Sequence, residues 1–190
     1  MKTEKIDRRV KYTKSLLKDS LIKLMQTNPI SKISVKMLCE DADINRSTFY
    51  SHFDDQYDLL RWIEHGVIAD FNAYINEHML RRETKTTILI LKQLLDYAAE
   101  DIDLFKVLLS NNGDTEFHED LMSLVQGKLI SDLRAEKNLS ERSAEYLKIF
   151  VLATALQIVQ KWLQDGMIES NQEIAELISN LLFSGMSYYF

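Results

Sequence analysis

The chain has 190 residues, 46% of them hydrophobic, with one Pro, five Gly, a single cysteine (Cys39) and a net charge of −6. That composition supports a folded core with short connections and excludes a disordered chain, and one cysteine excludes an intrachain disulfide. So few helix breakers in a chain this long point to an all-α protein.

The acidic total hides an asymmetry. Through Trp62 there are 12 Lys and Arg against 9 Asp and Glu, a net of +3 that leaves −9 for the remainder, and the first 36 residues alone carry +7. A basic excess at one end suits an electrostatic partner such as nucleic acid. The opening MKTEKIDRR has no apolar stretch and is unlike a signal peptide. The longest charge-free runs, 149–160 and 177–190, fall short of the roughly 20 residues that span a bilayer. A cytoplasmic protein with no membrane partner is expected.

Taken in order, Val10, Leu16, Leu17, Leu21, Leu24 and Met25 recur at spacings of three and four and predict a helix over 8–27. Lys11, Lys14 and Lys18 share another of its faces, where either a phosphate backbone or plain solvent would meet them. Thr27-Asn28-Pro29 ends that helix. Ser34 caps a short second helix over 35–41, Ala42-Asp43 makes a turn, and Asn45 caps a third helix over 46–52. Asp tolerates the left-handed backbone of such a turn better than most residues, though less cheaply than Gly. Asp54-Asp55 caps a fourth helix running from Gln56 to about residue 80. Val35, Leu38, Cys39, Ala42, Ile44, Phe49 and Phe53 give this stretch a buried side, and its other side is rich in hydrogen-bond donors. The pattern is that of a helix–turn–helix.

Past a polar break at 81–84, helices are expected over 86–100, 101–110, 116–136, 141–164 and from 170 or 171 to about 186, with a loop at 111–114. Two domains are expected: a helix–turn–helix DNA-binding domain, 1–54, and a helical regulatory and dimerisation domain, 55–190. The helix over 141–164 is apolar around nearly its whole circumference, so it needs cover on more than one side. A second copy of the chain is one such cover, and the interior of a single chain is the other. The expectation is a two-fold interface through Phe150, Leu152, Leu156, Val159, Leu163, Ile178, Leu181 and Leu182, with Ala153 and Ala155 allowing close approach.

A helix–turn–helix lays its second helix in the major groove. Arg46 is the candidate base reader, because its planar fork matches the acceptors of guanine. Ser47 and Thr48 suit bases or phosphates, and Tyr50 and His52 suit phosphate oxygens. Ser34 and Lys36 open the helix that crosses the backbone. Asn45, Gln56, Lys11 and Lys14 complete the expected DNA-binding set. Trp62, Phe71, Tyr74, His78, Met79, Tyr97, Phe105, Phe117, Met122 and Phe150 form a candidate effector-pocket lining, with ordinary core packing as the alternative for each. His65, His78 and His118 lack zinc-site spacing, so no metal or other cofactor is expected. Glu64-His65 and Glu77-His78 are adjacent in sequence, and adjacent helical residues do not face each other. No catalytic pair remains, and no enzyme is expected.

Residues 32–60, KISVKMLCEDADINRSTFYSHFDDQYDLL, resemble the N-terminal signature of TetR/AcrR-family transcriptional regulators. Ile33-Ser34-Val35 stands at its start and Ala42-Asp43-Ile44-Asn45 at its turn. Thr48-Phe49-Tyr50-Ser51-His52-Phe53 stands in its reading helix, and Asp58-Leu59-Leu60 in the helix after. Two positions depart from the family pattern: Asp43 replaces the usual turn Gly, and Gln56 replaces the Lys that usually opens the fourth helix. Farther on, Asp103-Leu104-Phe105, Leu108-Leu109-Ser110 and Trp162-Leu163 with Gly166-Met167 resemble a low-GC Gram-positive subgroup that includes regulators of dihydroxyacetone use. The resemblance implies a homodimer on a palindromic double-stranded DNA operator. It further implies a repressor, released when an unknown small-molecule effector in the C-terminal domain moves the fourth helix. The alternative is a helix–turn–helix co-regulator or activator governed by a protein partner.

Overall fold

The computed structural model describes residues 2–79, 86–110, 116–121, 123, 140–183 and 185, and every regular element among them is helical. The expected break at 81–84, the loop at 111–114, most of the helix over 116–136 and the chain end near residue 186 lie outside the described residues. Two compact units emerge, Met1–Val67 and Ile68–Phe190. The domain boundary expected at 54/55 coincides with the start of the fourth helix, and the division between the units lies farther along it.

In the first unit, α1 spans Lys2–Met25 and begins six residues before the start expected at residue 8. Its first turns, Lys2 to Arg9, hold one apolar residue, Ile6, too few to set a repeating apolar spacing there. Leu17, Leu21, Ile22 and Met25 are buried. Asn28 closes the helix by donating from its backbone N–H and its side-chain amide to the Leu24 carbonyl. A 3₁₀ turn, Ile30–Lys32, which the sequence did not announce, then carries the chain to the buried Ile33.

Ser34 caps α2 (Val35–Asp41) by accepting from the Met37 N–H at 3.3 Å. Ser20 donates to the Leu38 carbonyl at 3.3 Å, and the Lys23 ammonium meets Asp41 at 2.6 Å, so α2 is tied to α1 twice. The hydrogen bond from Lys23 holds the Asp41 carboxyl below its ordinary range.

The turn after α2 is a Schellman closure. Asp43 adopts φ 51°, and the Ile44 N–H reaches back to the Cys39 carbonyl at 2.9 Å. Glycine takes this backbone with no Cβ penalty. Asp43→Gly is therefore expected to raise stability by about 0.5–1 kcal/mol, measured as a higher urea midpoint at unchanged slope.

Asn45 caps α3 (Arg46–Tyr50), accepting from the Ser47 N–H at 2.9 Å. The helix is shorter than the sequence pattern, because Ser51 and His52 continue as a tight turn whose N–H groups fold back to the carbonyls of residues 47–49. Phe49 is fully buried and Phe53 nearly so, which fixes α3 on the unit's core. The fourth helix, α4, spans Gln56–Met79. It opens on two reciprocal caps, the Asp58 N–H to Asp55 at 2.8 Å and the Asp54 N–H to Asp58 at 3.1 Å. Within the first unit it buries Leu59, Leu60, Ile63 and Val67. Each fully buried Leu or Phe of this core contributes on the order of 1.5–3 kcal/mol.

The second unit contains α5 (Thr86–Glu100), α6 (Ile102–Leu108), helical residues at 116–121, α7 (Glu141–Gln164) and α8 (Asn171–Phe183). Its core gathers Leu95, Ala98, Phe105, Leu108, Leu163, Ala175 and Ile178. Asp101 caps α6 and Ser140 caps α7. Ser170 and Glu173 form a capping box at the start of α8, with the Ser170 N–H donating to Glu173 at 2.8 Å. Left-handed Gly166 (φ 85°) and Met167 (φ 57°) end α7, and the Met167 N–H bonds the Trp162 carbonyl at 2.9 Å. Asn171 on α8 donates to Asp96 on α5, and Gln160 on α7 donates to the Leu109 carbonyl. No helix among the described residues is long and apolar enough to cross a membrane.

Candidate nucleic-acid interface

The surface of the first unit follows from which side chains α3 has left over after packing. Phe49 is spent on the core, and Arg46, Ser47 and Tyr50 stay exposed, Tyr50 at 58%. Tyr50 stands edge-on to Phe49, with ring centroids 5.6 Å apart, so a rigid core ring supports an exposed phenol. Thr48, His52 and Gln56 are half-buried. Ser34 and Asn45 are exposed, but their side-chain oxygens already cap α2 and α3, and Asn45 also accepts from the Ser47 hydroxyl at 2.9 Å. Lys36 is exposed, 3.7 Å from Glu40. The interaction at that distance between two exposed groups is weak and easily exchanged for another anion.

The sequence grouped Lys11 and Lys14 as equivalents, and the structure separates them. Lys11 is exposed. Lys14 is half-buried, with its Nζ 5.0 Å from the centroid of Phe53 and 4.9 Å from that of Trp62. A cation held over ring faces gains about 0.5–2 kcal/mol. Trp62, placed by the sequence in an effector pocket, lies in the first unit, 5.7 Å from Phe53 between ring centroids. Cys39 is buried, and burial pushes its thiol above the ordinary range despite the nearby charge of Arg46. An undissociated, buried thiol is an inert packing group.

Residues 85–184, just over half of the chain, match a TetR-type family described as a transcriptional regulator C-terminal region. The chain belongs to the TetR family of transcriptional regulators. This TetR-family protein is 33% identical over 84 residues to the HTH-type dhaKLM operon transcriptional activator DhaS of Lactococcus lactis subsp. lactis (strain IL1403). That match spans 44% of the chain and 43% of the relative, less than half of either. Its fold is similar to the dihydroxyacetone kinase operon activator DhaS, with 24% identity, a TM-score of 0.57, and 93% of this chain and 97% of that one covered. A TetR transcriptional regulator from Streptococcus agalactiae 2603V is also similar, with 23% identity, a TM-score of 0.68, and coverage of 95% and 98%. So is FadR from Bacillus subtilis in complex with stearoyl-CoA, with 14% identity, a TM-score of 0.70, and coverage of 90% and 98%. At these identities the structural likeness is one of fold.

In the second unit of this TetR-family regulator, part of the expected pocket lining comes together. Phe71, Tyr97 and Phe105 form a closed aromatic triangle with centroid separations of 5.2, 5.6 and 6.1 Å. The Tyr97 hydroxyl donates to Asp70 at 3.0 Å. Phe117 is buried next to His118, whose ring nitrogen lies 2.7 Å from the Leu108 carbonyl. Phe150 does not join them, being 58% exposed on α7. The side chains of Tyr74, His78 and Met79, and the whole of Met122, lie outside the described residues.

Burial and the neighbouring Asp70 raise the Tyr97 phenol well above its ordinary value. The neutral phenol is favoured by the fold. Its stabilisation is complete below the unfolded value, about 10, and is lost as pH rises toward the raised folded value. Tyr97→Phe is expected to remove this share of the alkaline decline, so the drop in urea midpoint from pH 8 to 10.5 is smaller in the variant than in the parent.

The expected pairing residues divide in the same way. Leu163 and Ile178 are buried within one chain, Leu156, Val159 and Leu181 are half-buried, and the side chains of Leu152 and Leu182 lie outside those described. The stripe left exposed on α7 is Tyr146, Ile149, Phe150 and Ala153, at the spacing of one helical face. Beyond it an open cleft of about 610 Å³ runs between α7 and α8, lined in part by Ala153, Gln157, Ile158, Ile174 and Leu177.

Proposed function

We propose that the protein is a homodimeric, sequence-specific DNA-binding regulator that reads a two-fold operator with α3 and is controlled from its second unit. The observation that carries this is the division of labour on α3: Phe49 anchors the helix while Arg46, Ser47 and Tyr50 project from it. Arg46 reads a guanine edge, Ser47 and Thr48 contact bases or sugar-phosphate, and Tyr50, His52, Gln56, Lys36 and Lys11 hold phosphates. The hydroxyl proton of Ser34 and the amide group of Asn45 add donors where those side chains already cap helices. Pairing runs through the Tyr146, Ile149, Phe150 and Ala153 stripe, because Leu163 and Ile178 are already used inside the chain.

The effector is a small, largely apolar molecule that lies against Phe71, Tyr97, Phe105 and Phe117 and exchanges a hydrogen bond with the Asp70–Tyr97 pair. It shifts the protein between DNA-binding and non-binding forms only to the extent that it binds one of them better. Repression relieved by such an effector is the form proposed. Activation through a protein partner is the second reading, favoured by the relative DhaS being named an activator. Selection from a random duplex pool tests the proposal. The expected result is an inverted repeat, and failure to enrich any sequence counts against it.

A further inference from the structure

One cation of the first unit is engaged with rings instead of projecting from the surface. Lys14, half-buried on α1, holds its ammonium 5.0 Å from the Phe53 centroid and 4.9 Å from the Trp62 centroid. Phe53 and Trp62 touch each other, 5.7 Å apart and tilted by 57°. The contact continues into α3 and its closing turn, since Phe53 lies 6.0 Å from Phe49 and 6.5 Å from His52. Phe49 in turn supports Tyr50 at 5.6 Å. One charge on α1 thus sits at the head of a chain of rings that ends at the exposed surface of α3.

We infer that Lys14 is a positioning residue whose ammonium clamps Phe53 against Trp62 and so sets the orientation of α3, and that it does not neutralise a DNA phosphate. To reach a phosphate it would leave both ring faces, whereas Lys11 and Lys36 are already exposed. Trp62 then belongs to the DNA-reading unit and acts through Phe53. This inference rests on α3 being the helix that enters the groove.

The two roles leave different signatures. A phosphate contact releases a counterion, so its loss weakens every duplex alike and makes the dependence of log K on log[salt] shallower by about 0.9. A positioning contact changes how well base edges are met, so its loss weakens the selected sequence and spares random DNA. The test uses the full-length protein with two probes, the duplex recovered by selection and a random-sequence duplex of equal length. Lys14→Gln and Trp62→Leu are each expected to weaken binding to the selected duplex about tenfold. Random-duplex affinity and both salt slopes stay at parental values. The double variant falls no further than the weaker-binding single variant, because both remove one clamp. Lys14→Arg restores binding, since a guanidinium also stacks on aromatic faces. Lys14→Met, which keeps the aliphatic stem without the charge, repeats the loss should the glutamine variant fail to fold.

A salt slope shallower by about one unit per subunit in Lys14→Gln, with equal weakening on both duplexes, overturns the inference. Additive losses in the double variant overturn it too. Arg46→Ala, measured alongside, separates the two claims. If it leaves selected-duplex binding intact, the assignment of the reading helix has failed. If it lowers that binding while Lys14→Gln alters the slope, only the clamp has failed.

Discussion

Replacing Arg46 by alanine is expected to lower affinity for the selected operator on the order of hundredfold while leaving the dimer and its thermal stability unchanged. Arg46 is exposed and opens α3, one residue after the Asn45 cap, so its truncation removes no core contact. A bidentate arginine–guanine pair discriminates against the wrong base by about 1–3 kcal/mol, and a two-headed protein loses it twice. The loss should concentrate on one base position of each half-site, and random-sequence DNA should bind nearly as before. Fluorescence anisotropy on the selected duplex, and on duplexes mutated one position at a time, measures this.

Phe150→Glu is expected to convert the proposed dimer to monomer at micromolar concentration and to reduce operator affinity by at least hundredfold. Tyr146, Ile149 and Phe150 are exposed at 65%, 66% and 58%, and with Ala153 they form one face of α7. In the proposed pairing this exposed apolar stripe is what the second copy covers, and covering it removes apolar surface from water. A buried carboxylate at its centre would lack a partner and would cost several kcal/mol in the paired state. Phe150 is largely exposed, so the folded monomer is expected to survive. DNA affinity falls because the second head then binds without the high effective concentration that linkage provides. Sedimentation velocity and far-ultraviolet circular dichroism on the same sample separate dissociation from unfolding.

Much of this was legible from the sequence because local chemistry decided it. Ser34, Asn45 and the Asp54-Asp55 pair announced three helix starts, and each cap forms with the bond its residue type allows. Asp43 stood where a left-handed residue was needed, and it adopts φ 51°. The 3₁₀ turn at Ile30–Lys32 gave no comparable sign, and neither did the first turns of α1, where Ile6 is the one apolar residue between Lys2 and Arg9.

The site was harder to read for a physical reason. Periodicity assigns a residue to a face but not to a partner. Lys14 shares a face with Lys11 and Lys18, and only the arrival of Phe53 and Trp62 from elsewhere in the chain turns its ammonium onto rings. Trp62 looked like pocket lining because a large aromatic on the fourth helix satisfies either environment. Along α7 the apolar residues spread between 149 and 163 gave no sign of which side was covered. The structure spends Trp162 and Leu163 within the chain and leaves Ile149 and Phe150 exposed, a division set by where α8 and α6 pack.

The central claim is that two copies of the chain read two copies of one half-site through α3. The most direct measurement is a pair of selections from the same random duplex pool, one with the parent protein and one with Arg46→Ala. The predicted result is an inverted repeat from the parent and the same repeat from the variant with the preference lost at one symmetric pair of positions. An asymmetric single site, or identical base preferences from both proteins, would contradict it.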